Sequence, residues 1–234
     1  MYNIKIIIAT IKSWNIKNAE IFKQQISLNG TDVILISQKD QLVFSFIKAY
    51  NPDFIFFPHW SWIIPEEIYN NFNCIVFHMT DLPFGRGGSP LQNLIANGHR
   101  KTKISAIKVE KGLDAGDIYL KEDLSLEGNA NEIFMRASQI IFTRMIPFIL
   151  ENKPIPYKQE GNVVEFPRRK RKDGEIVSDF SMEKMFDYIR MLDAEGYPNA
   201  YITFGKYKLL LNQAQFNGTE IEAHVKIIEE ESEV

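Results

Sequence analysis

Up to about Leu150, short runs of apolar residues alternate with segments of helical periodicity. The strand-like runs include residues 4–10, 33–36 and 54–57, which carry apolar side chains at most positions. Strands that are apolar on both faces and separated by helices are typical of a parallel sheet covered by helices on each side. The pattern therefore predicts an α/β fold, a doubly wound, Rossmann-like and mostly parallel sheet that forms one domain over residues 1–152.

Other signals mark the remaining elements of this domain. An amphipathic helix is predicted to follow the first strand and to run through Leu28, and further strands are predicted at residues 74–79, 104–109 and 119–126. Residues 129–132 (NANE) have the spacing of a capping box, in which two side chains satisfy the free N–H groups at a helix start. They predict the first turn of a long helix.

Pro154 and Pro156 indicate a linker, because neither residue can donate a backbone hydrogen bond to a helix or a sheet. Residues 153–234 are predicted to form a small α+β extension. It would contain a helix from Ser181 to about Leu192, two strands around a turn at Gly205 and a last strand from about Thr219. The acidic residues at the end of the chain are expected to fray.

Charge and cysteine content limit the classes of function. The formal net charge of −3 argues against a surface that binds nucleic acid by charge alone. The one cysteine, Cys74, allows no intramolecular disulfide and fits a reducing compartment. The longest apolar runs are far shorter than the about 20 residues that cross a bilayer, and the first residues show no signal-peptide pattern. We therefore expect a cytoplasmic protein with no membrane partner.

Several motifs of cofactor binding and nucleophilic catalysis are absent. Residues 10–14 follow the first strand without the G-x-G-x-x-G of a dinucleotide site, and the glycine-rich residues 85–90 lack the Gly-Lys-Ser/Thr of a phosphate-binding loop. No G-x-S-x-G motif occurs, and the single cysteine lies in an apolar run, where a thiol is more often inert. No metal is predicted, since suitably spaced partners are missing for His59, His99 and His224.

His78 stands out near the carboxyl end of a core strand. Open parallel sheets place ligand sites beyond the carboxyl ends of their strands. On position alone, His78 is equally compatible with a catalytic group and with a structural residue that hydrogen-bonds a loop. Asp114 and Asp117 lie in a later acidic loop, and by themselves they are more typical of an ordinary turn.

Four segments occur together in an order and spacing that resemble one enzyme family. They are residues 77–83 (FHMTDLP), 86–90 (RGGSP), 91–98 (LQNLIANG) and 112–118 (GLDAGDI). The combination resembles enzymes that transfer a formyl group from N10-formyltetrahydrofolate to an amine. Two later segments resemble the C-terminal part of sugar N-formyltransferases, including those of pseudaminic-acid-type pathways. These are residues 166–176 (FPRRKRKDGEI) and 189–201 (IRMLDAEGYPNAY).

The resemblance implies a catalytic pair and a donor site. The substrate amine would attack the formyl carbon, so the protein need not supply a nucleophile. His78 and Asp114 are implied to stabilise the tetrahedral intermediate and to handle the amine proton, and Asp117 is implied to be structural. N10-formyltetrahydrofolate is the implied co-substrate, and its implied contacts are Trp60, Ser61, Trp62, Val109, Glu110, Leu113 and Asp114. Aromatic packing around a loop is at least as good an account of each tryptophan.

The sequence departs from the family pattern at Val76, where the family usually has asparagine. Residues two apart on a strand face the same side, so Val76 faces the reacting centre beside His78 without a hydrogen-bond donor. Either His78, backbone N–H groups and a nearby side chain share the oxyanion, or the protein is a slow or degenerate member. The nearby side chains are Thr80, Gln92 and Asn93. Retained activity is favoured, because His78, Asp114 and the folate-side loop persist.

Three acceptors are compatible with the resemblance: methionyl-tRNA, glycinamide ribonucleotide and amino sugars carried on nucleotides. A tRNA-modifying member would be expected to carry a longer, basic C-terminal domain, so the acidic end of this chain favours a nucleotide-linked amino sugar. The sequence thus predicts no nucleic-acid partner and leaves a homodimer open. The alternatives are an enzyme similar to methionyl-tRNA formyltransferases and a non-catalytic folate-binding protein.

Residues 168–172 (RRKRK) form the most basic run of the chain. It is compatible with a solvated surface segment, with a phosphate contact to a nucleotide-linked sugar, and with an RNA contact. An RNA-binding module built on this run is a further hypothesis, and it requires an affinity that falls steeply with salt.

Overall fold

The computed structural model describes residues 4–27 and 30–229. The chain divides into two compact units, each assembled from several segments. The first unit contains the residues up to 86, residues 103–124 and residues 135–165; the second contains residues 87–102, residues 125–134 and the residues from 166 onward. The predicted boundary after residue 152 would divide the chain at a single point, whereas each compact unit combines several segments. The boundary therefore stays a prediction.

The strands and helices follow the predicted alternation closely. The strands are β1 (Lys5–Ala9), β2 (Asp32–Ile36), β3 (Phe54–Phe57), β4 (Cys74–His78), β5 (Phe84–Gly87), β6 (Lys101–Lys108), β7 (Ile118–Ser125), β8 (Val164–Phe166), β9 (Ala200–Phe204), β10 (Tyr207–Phe216) and β11 (Ile221–Glu229). The helices are α1 (Ser13–Ser27), α2 (Phe44–Tyr50), α3 (Glu66–Tyr69), α4 (Pro90–Ala96), α5 (Ala130–Ile140), α6 (Ile146–Asn152) and α7 (Met182–Arg190). The predicted end of α1 at Leu28 lies outside the described residues.

Six strands form one sheet in the order β2-β1-β3-β4-β6-β7. The first four of these pair in parallel, and β6 runs antiparallel to β4. In β1, the residues Ile6 to Ala9 are all fully buried, because both faces of the sheet are covered. The predicted α/β fold with a mostly parallel sheet is therefore confirmed.

The capping box predicted at residues 129–132 is present at the start of α5. The Glu132 carboxylate accepts from the Asn129 N–H, and the Asn129 side chain accepts from the Glu132 N–H, both at 2.9 Å. The reciprocal bonds satisfy two N–H groups that have no partner within the helix.

The helix that begins there continues through a π-helical segment, Ile141–Met145, into α6. Among the described residues, residues 130–152 form one helix that is long and apolar enough to span a membrane by length and composition. The sequence analysis predicted no membrane-spanning segment, because it considered only uninterrupted apolar runs. The helix is a weak candidate for a span, because 56% of its apolar window is buried within the protein, as in the core helix of a soluble domain.

The second unit contains the antiparallel sheet β9-β10-β11 and α7. The Ser181 side chain caps α7 by accepting from the Lys184 N–H. A buried ion pair between Arg190 and Asp187, 2.7 Å long, anchors the last turn of this helix, and Arg190 also donates to the carbonyl oxygen of Leu126. The predicted Gly205 turn joins β9 to β10, whereas the predicted fraying of residues 230–234 lies outside the described residues.

Candidate active site

His78 is the last residue of β4, at the carboxyl edge of the parallel part of the sheet. It is only 8% exposed. Its Nε2 atom lies 2.7 Å from the carbonyl oxygen of Gly85, in β5. Because a carbonyl oxygen can only accept, Nε2 carries a hydrogen and donates it. This bond orients the imidazole ring and leaves Nδ1 as the nitrogen available for other chemistry.

Asp114 lies in the loop between β6 and β7, and its Oδ2 atom is 3.5 Å from Nδ1 of His78. The structure thus brings together the two residues that the sequence proposed as a pair. Asp114 has φ +50°, a left-handed conformation that is uncommon for a residue other than glycine. When Nδ1 also carries a proton, the imidazolium faces the carboxylate at a distance where the opposite charges attract strongly in a buried site.

The loop that carries Asp114 also offers exposed peptide groups. Residues 113–114 form a tight turn, and no backbone hydrogen bond is seen between residues 110–113 and a distant part of the described backbone. Glu110 and Leu113 are exposed, and Leu113 is 71% exposed. A pterin ring has an amide-like edge that pairs with backbone N–H and C=O groups. The exposed peptide groups of this loop therefore fit the predicted co-substrate, N10-formyltetrahydrofolate.

The loop after β3 carries the other predicted donor contacts. Trp60 contacts Phe57 and Trp62 through edge-to-face ring pairs, with centroids 6.0 and 4.8 Å apart. The Trp60 Nε1 atom is buried and makes no hydrogen bond to any described residue. Trp60 and Val109 pack against the same buried apolar cluster. This packing supports the structural account of Trp60, whereas Trp62 and Ser61 are exposed and free to meet a ligand.

Val76 supplies packing and no donor. It contacts two apolar clusters, one of which consists of Leu82, Ile107 and Ile118. The three side chains proposed to replace the family asparagine already donate to backbone carbonyl oxygens. Thr80 donates to Gly85, Gln92 to Met191, and Asn93 to both Gly88 and Pro167. His78 is therefore the best-placed group to stabilise an oxyanion.

Cys74 is inert, as the sequence predicts. It is 1% exposed at the start of β4, and burial raises the pKa of its thiol to about 12. Burial has this effect because a thiolate loses its hydration in an apolar environment. Almost no nucleophilic thiolate is present at neutral pH.

Sequence reasoning missed Gln159 and Arg86. The Gln159 side chain bonds to the carbonyl oxygens of Asp114 and Gly116 and to the Arg86 guanidinium. Such bonds leave little trace in a sequence, because backbone carbonyls are the same in every residue. The only signal near Gln159 is the proline linker that precedes it.

The structure also has an open, polar cavity of about 480 Å³ in the first unit. Its lining includes Asp53, Asn73 and Lys108, which lie at the amino ends of β3 and β4 and at the end of β6. None of the predicted site residues lines it. In open parallel sheets the ligand site lies at the opposite, carboxyl edge, where His78 is found.

Comparison with protein families gives two matches along the chain. A family described as formyl transferase matches residues 14–132, which is about half of the chain. The C-terminal domain of methionyl-tRNA formyltransferase matches residues 171–228. The second match contains most of the tail motifs that had suggested a sugar enzyme.

Individual relatives agree with these matches. A methionyl-tRNA formyltransferase from Campylobacter lari is 35% identical over 150 residues, which cover 63% of this chain and 50% of that protein. The chain therefore spans about half the length of this curated relative. A solved structure named methionyl-tRNA formyltransferase, from Clostridium thermocellum, is 59% identical, with a TM-score of 0.94, and the match covers 97% of this chain and 99% of that one. A sugar N-formyltransferase from Shewanella is 15% identical with a TM-score of 0.66, over 90% and 97% of the two chains, and shares only the fold.

These matches correct two predictions. The nucleotide-linked amino sugar is wrong as the acceptor, and the exclusion of a nucleic-acid partner is wrong with it, because the strong relatives are named methionyl-tRNA formyltransferases. A longer chain is not required of every protein of this name, because the match covers 99% of the Clostridium thermocellum chain but only 50% of the Campylobacter lari protein. The charge argument failed because net charge averages over the surface and says nothing of local patches.

Proposed function

The chain belongs to the formyltransferase family, and on that basis we propose that it transfers a formyl group from N10-formyltetrahydrofolate to the amino group of methionyl-tRNA. The observation that carries the chemistry is the contact between Nδ1 of His78 and the Asp114 carboxylate, 3.5 Å apart at the carboxyl edge of the sheet. The names of the strong relatives support the acceptor. A reducing, cytoplasmic setting is part of the proposal, as a single buried cysteine suits it.

His78 would stabilise the charge that develops on the formyl oxygen when the amine attacks. Its Nε2–H is held by the Gly85 carbonyl oxygen, so the ring presents Nδ1 toward the carboxylate. A proton on Nδ1 would make the ring cationic. Because Nδ1 is 3.5 Å from Asp114, longer than an ordinary hydrogen bond, its N–H could be shared with the formyl oxygen, and a charge-assisted bond to an oxyanion is about twice as strong as a neutral one. Preorganised donors of this kind supply the largest single contribution in many enzymes.

Asp114 would orient the imidazole and take the proton that the attacking amine must lose. The amine nitrogen gains a bond to the formyl carbon and loses one proton, and the departing N10 nitrogen gains one. A carboxylate paired with an imidazole can relay this proton without a change in the net charge of the site. Asp114 is 16% exposed in its side chain, so a substrate amine can reach it.

The donor would bind along the loop of residues 109–114 and the loop that carries Ser61 and Trp62. The exposed peptide groups of residues 110–113 provide the hydrogen bonds that an amide-like ring edge requires. The donor supplies the activated formyl group. The protein supplies the position of the reacting atoms and the proton path.

The basic run of residues 168–172 supports an RNA acceptor. Arg168, Lys170, Arg171 and Lys172 are exposed, and none of them forms an ion pair with a carboxylate in the described residues. The fifth residue, Arg169, is held by the Asp173 carbonyl oxygen and lies over the Tyr188 ring, 5.2 Å from its centroid. Unpaired cations beside a fixed one form a positive segment suited to phosphate groups.

A direct assay tests the proposed function. The protein is incubated with N10-formyltetrahydrofolate and initiator tRNA charged with methionine, and the released amino acid is analysed by mass spectrometry. We expect formylmethionine in an enzyme-dependent amount, and no product on uncharged tRNA or on nucleotide-linked amino sugars. Binding of the folate without any formylmethionine would instead favour a non-catalytic folate-binding protein.

Replacing Lys170 and Arg171 with glutamine is expected to weaken binding of tRNA and to make its salt dependence shallower. Each lost phosphate contact reduces the slope of log K against log salt by about 1, so the double variant should lose about 2. The measurement is tRNA affinity over a series of salt concentrations. A charge-matched variant, Lys23→Gln with Lys48→Gln, should keep the wild-type slope. If the two double variants showed equal slopes, the proposal that residues 168–172 contact tRNA would be refuted.

A further inference from the structure

We propose that Gln159 is a positioning residue that holds the His78–Asp114 pair in its reactive arrangement. The inference rests on the proposed function, because it assumes that this pair performs the chemistry. Gln159 lies in the segment that follows α6, within the same compact unit as His78 and Asp114. Its side chain bonds to the backbone carbonyl oxygens of Asp114 and Gly116 and to the Arg86 guanidinium.

The Gln159 amide nitrogen donates two hydrogen bonds to the loop that carries Asp114. Nε2 lies 2.8 Å from the carbonyl oxygen of Asp114 and 2.8 Å from that of Gly116. Both hydrogens of the amide are therefore used on the two carbonyls that bracket Ala115. The bonds act on the backbone of the catalytic carboxylate itself.

The Gln159 amide oxygen is bonded to the segment that orients His78. Oε1 accepts from Nε of Arg86 at 3.1 Å and from Nη2 at 2.8 Å. Arg86 directly follows Gly85, whose carbonyl oxygen holds Nε2 of His78 at 2.7 Å. One side chain thus links the two backbone segments that orient the catalytic pair.

The orientation of the amide is determined by its partners. Carbonyl oxygens can only accept and a guanidinium can only donate, so Nε2 must face Asp114 and Gly116, and Oε1 must face Arg86. All four hydrogen-bonding positions of the amide are filled. No other neutral side chain of this length offers two donors and two acceptor positions.

Asp114 needs such support. Its φ of +50° is a left-handed conformation, which aspartate adopts more readily than most residues but less readily than glycine. No backbone hydrogen bond ties residues 110–113 to a distant part of the described backbone. The segment of Gln159 is itself fixed, since Tyr157 and Ile118 exchange both backbone hydrogen bonds at 3.0 and 2.7 Å. A fixed segment can therefore impose a conformation on the loop.

Two substitutions at Gln159 distinguish its bonds to the Asp114 loop from its bond to Arg86. Gln159→Leu removes all four bonds. Gln159→Glu keeps the acceptor for Arg86 but places a carboxylate against two carbonyl oxygens. The bond to Arg86 therefore remains, and the hydrogen bonds to Asp114 and Gly116 are lost. We expect both variants to lower kcat about 10- to 100-fold, because a displacement near 1 Å at a catalytic group can cost about a hundredfold. Gln25→Leu, an exposed glutamine on α1, is the matched control and should retain the wild-type kcat.

A double-mutant cycle distinguishes a positioning role from a structural one. In an Asp114→Asn background, Gln159→Leu should lower kcat less than twofold further, because the carboxylate that it positions is already absent. A full additional loss would overturn the proposal, and so would near-wild-type kcat in either single variant.

Hydrogen exchange of the Lys108 and Ile118 amides tests the same proposal without turnover, because these two amides flank the loop and donate to the carbonyl oxygens of Asp117 and Tyr157. We expect exchange at least tenfold faster in Gln159→Leu than in the wild type or Gln25→Leu. An inactive wild-type protein would refute the proposed function, while the exchange measurement would still decide whether Gln159 holds the loop. Unchanged exchange would overturn the inference.

Discussion

Substitution of His78 with asparagine is expected to lower kcat for formyl transfer about a hundredfold to a thousandfold, the usual cost of removing one preorganised oxyanion donor. Asparagine is too short to reach the Gly85 carbonyl oxygen that Nε2 contacts, and it cannot carry the positive charge that the Asp114 carboxylate would stabilise. Thr80, Gln92 and Asn93 already donate to backbone carbonyl oxygens, so none of these three side chains is free to replace the imidazole. The measurement is single-turnover kinetics with saturating folate and methionyl-tRNA.

Asp114→Asn should cause a loss of similar size, since the amide can neither accept the amine proton nor stabilise an imidazolium. Its matched control is Asp117→Asn in the same loop, which the resemblance assigns a structural role. For the histidine, the control is His224→Asn, at an exposed position on β11. Thermal unfolding of all four variants separates loss of chemistry from loss of folding. Wild-type kcat in either catalytic-pair variant would refute the assigned roles.

The sequence predicted the fold well because strand and helix periodicities are local signals. Apolar runs such as residues 54–57 indicate strands buried on both faces, and the capping box at residues 129–132 marks a helix start within a single turn. The boundaries of β6 and β7 differ from the predicted ones by only a few residues. Physical pattern alone was sufficient for these elements.

The proposed catalytic pair, His78 and Asp114, could not be predicted from pattern alone. A histidine at a strand end and an aspartate in a turn each have ordinary structural explanations, and only the family resemblance joined them. The structure adds the 3.5 Å contact, the Gly85 carbonyl oxygen beside His78, and the Gln159 amide beside the backbone of Asp114. Gln159 bonds to backbone carbonyl oxygens, which every residue carries, so no sequence motif indicates this contact.

The acceptor was mispredicted because the acidic chain end and the expectation of a longer basic domain were given more weight than the basic run of residues 168–172. The net charge of −3 includes every acidic residue, wherever it lies, and says nothing of that run. An RNA contact depends on whether several cations are exposed and unpaired at one place, as at residues 168–172. Such local distribution becomes visible only when ion pairs and exposure are known.

Gly116→Ala is expected to lower kcat by about a hundredfold and to destabilise the protein by about 1–3 kcal/mol. A Cβ atom at this position would lie 1.8 Å from the carbonyl oxygen of Lys108 and 2.9 Å from its carbonyl carbon. Both atoms belong to the backbone at the end of β6, which is tied to the loop by a 2.9 Å hydrogen bond from the Lys108 N–H to the Asp117 carbonyl oxygen. The loop must therefore move by more than 1 Å, and this movement carries Asp114 away from His78.

A second glycine substitution separates this clash from backbone strain. Gly98→Ala introduces a methyl group where nothing lies within 4 Å, at a φ of +79°. It should cost about 1–2 kcal/mol from the left-handed conformation alone and leave kcat unchanged. Thermal unfolding and kcat measured on both variants then isolate the role of loop position. If Gly116→Ala folded with wild-type kcat, catalysis would tolerate a displaced Asp114, and the requirement for a closely held His78–Asp114 pair would be refuted.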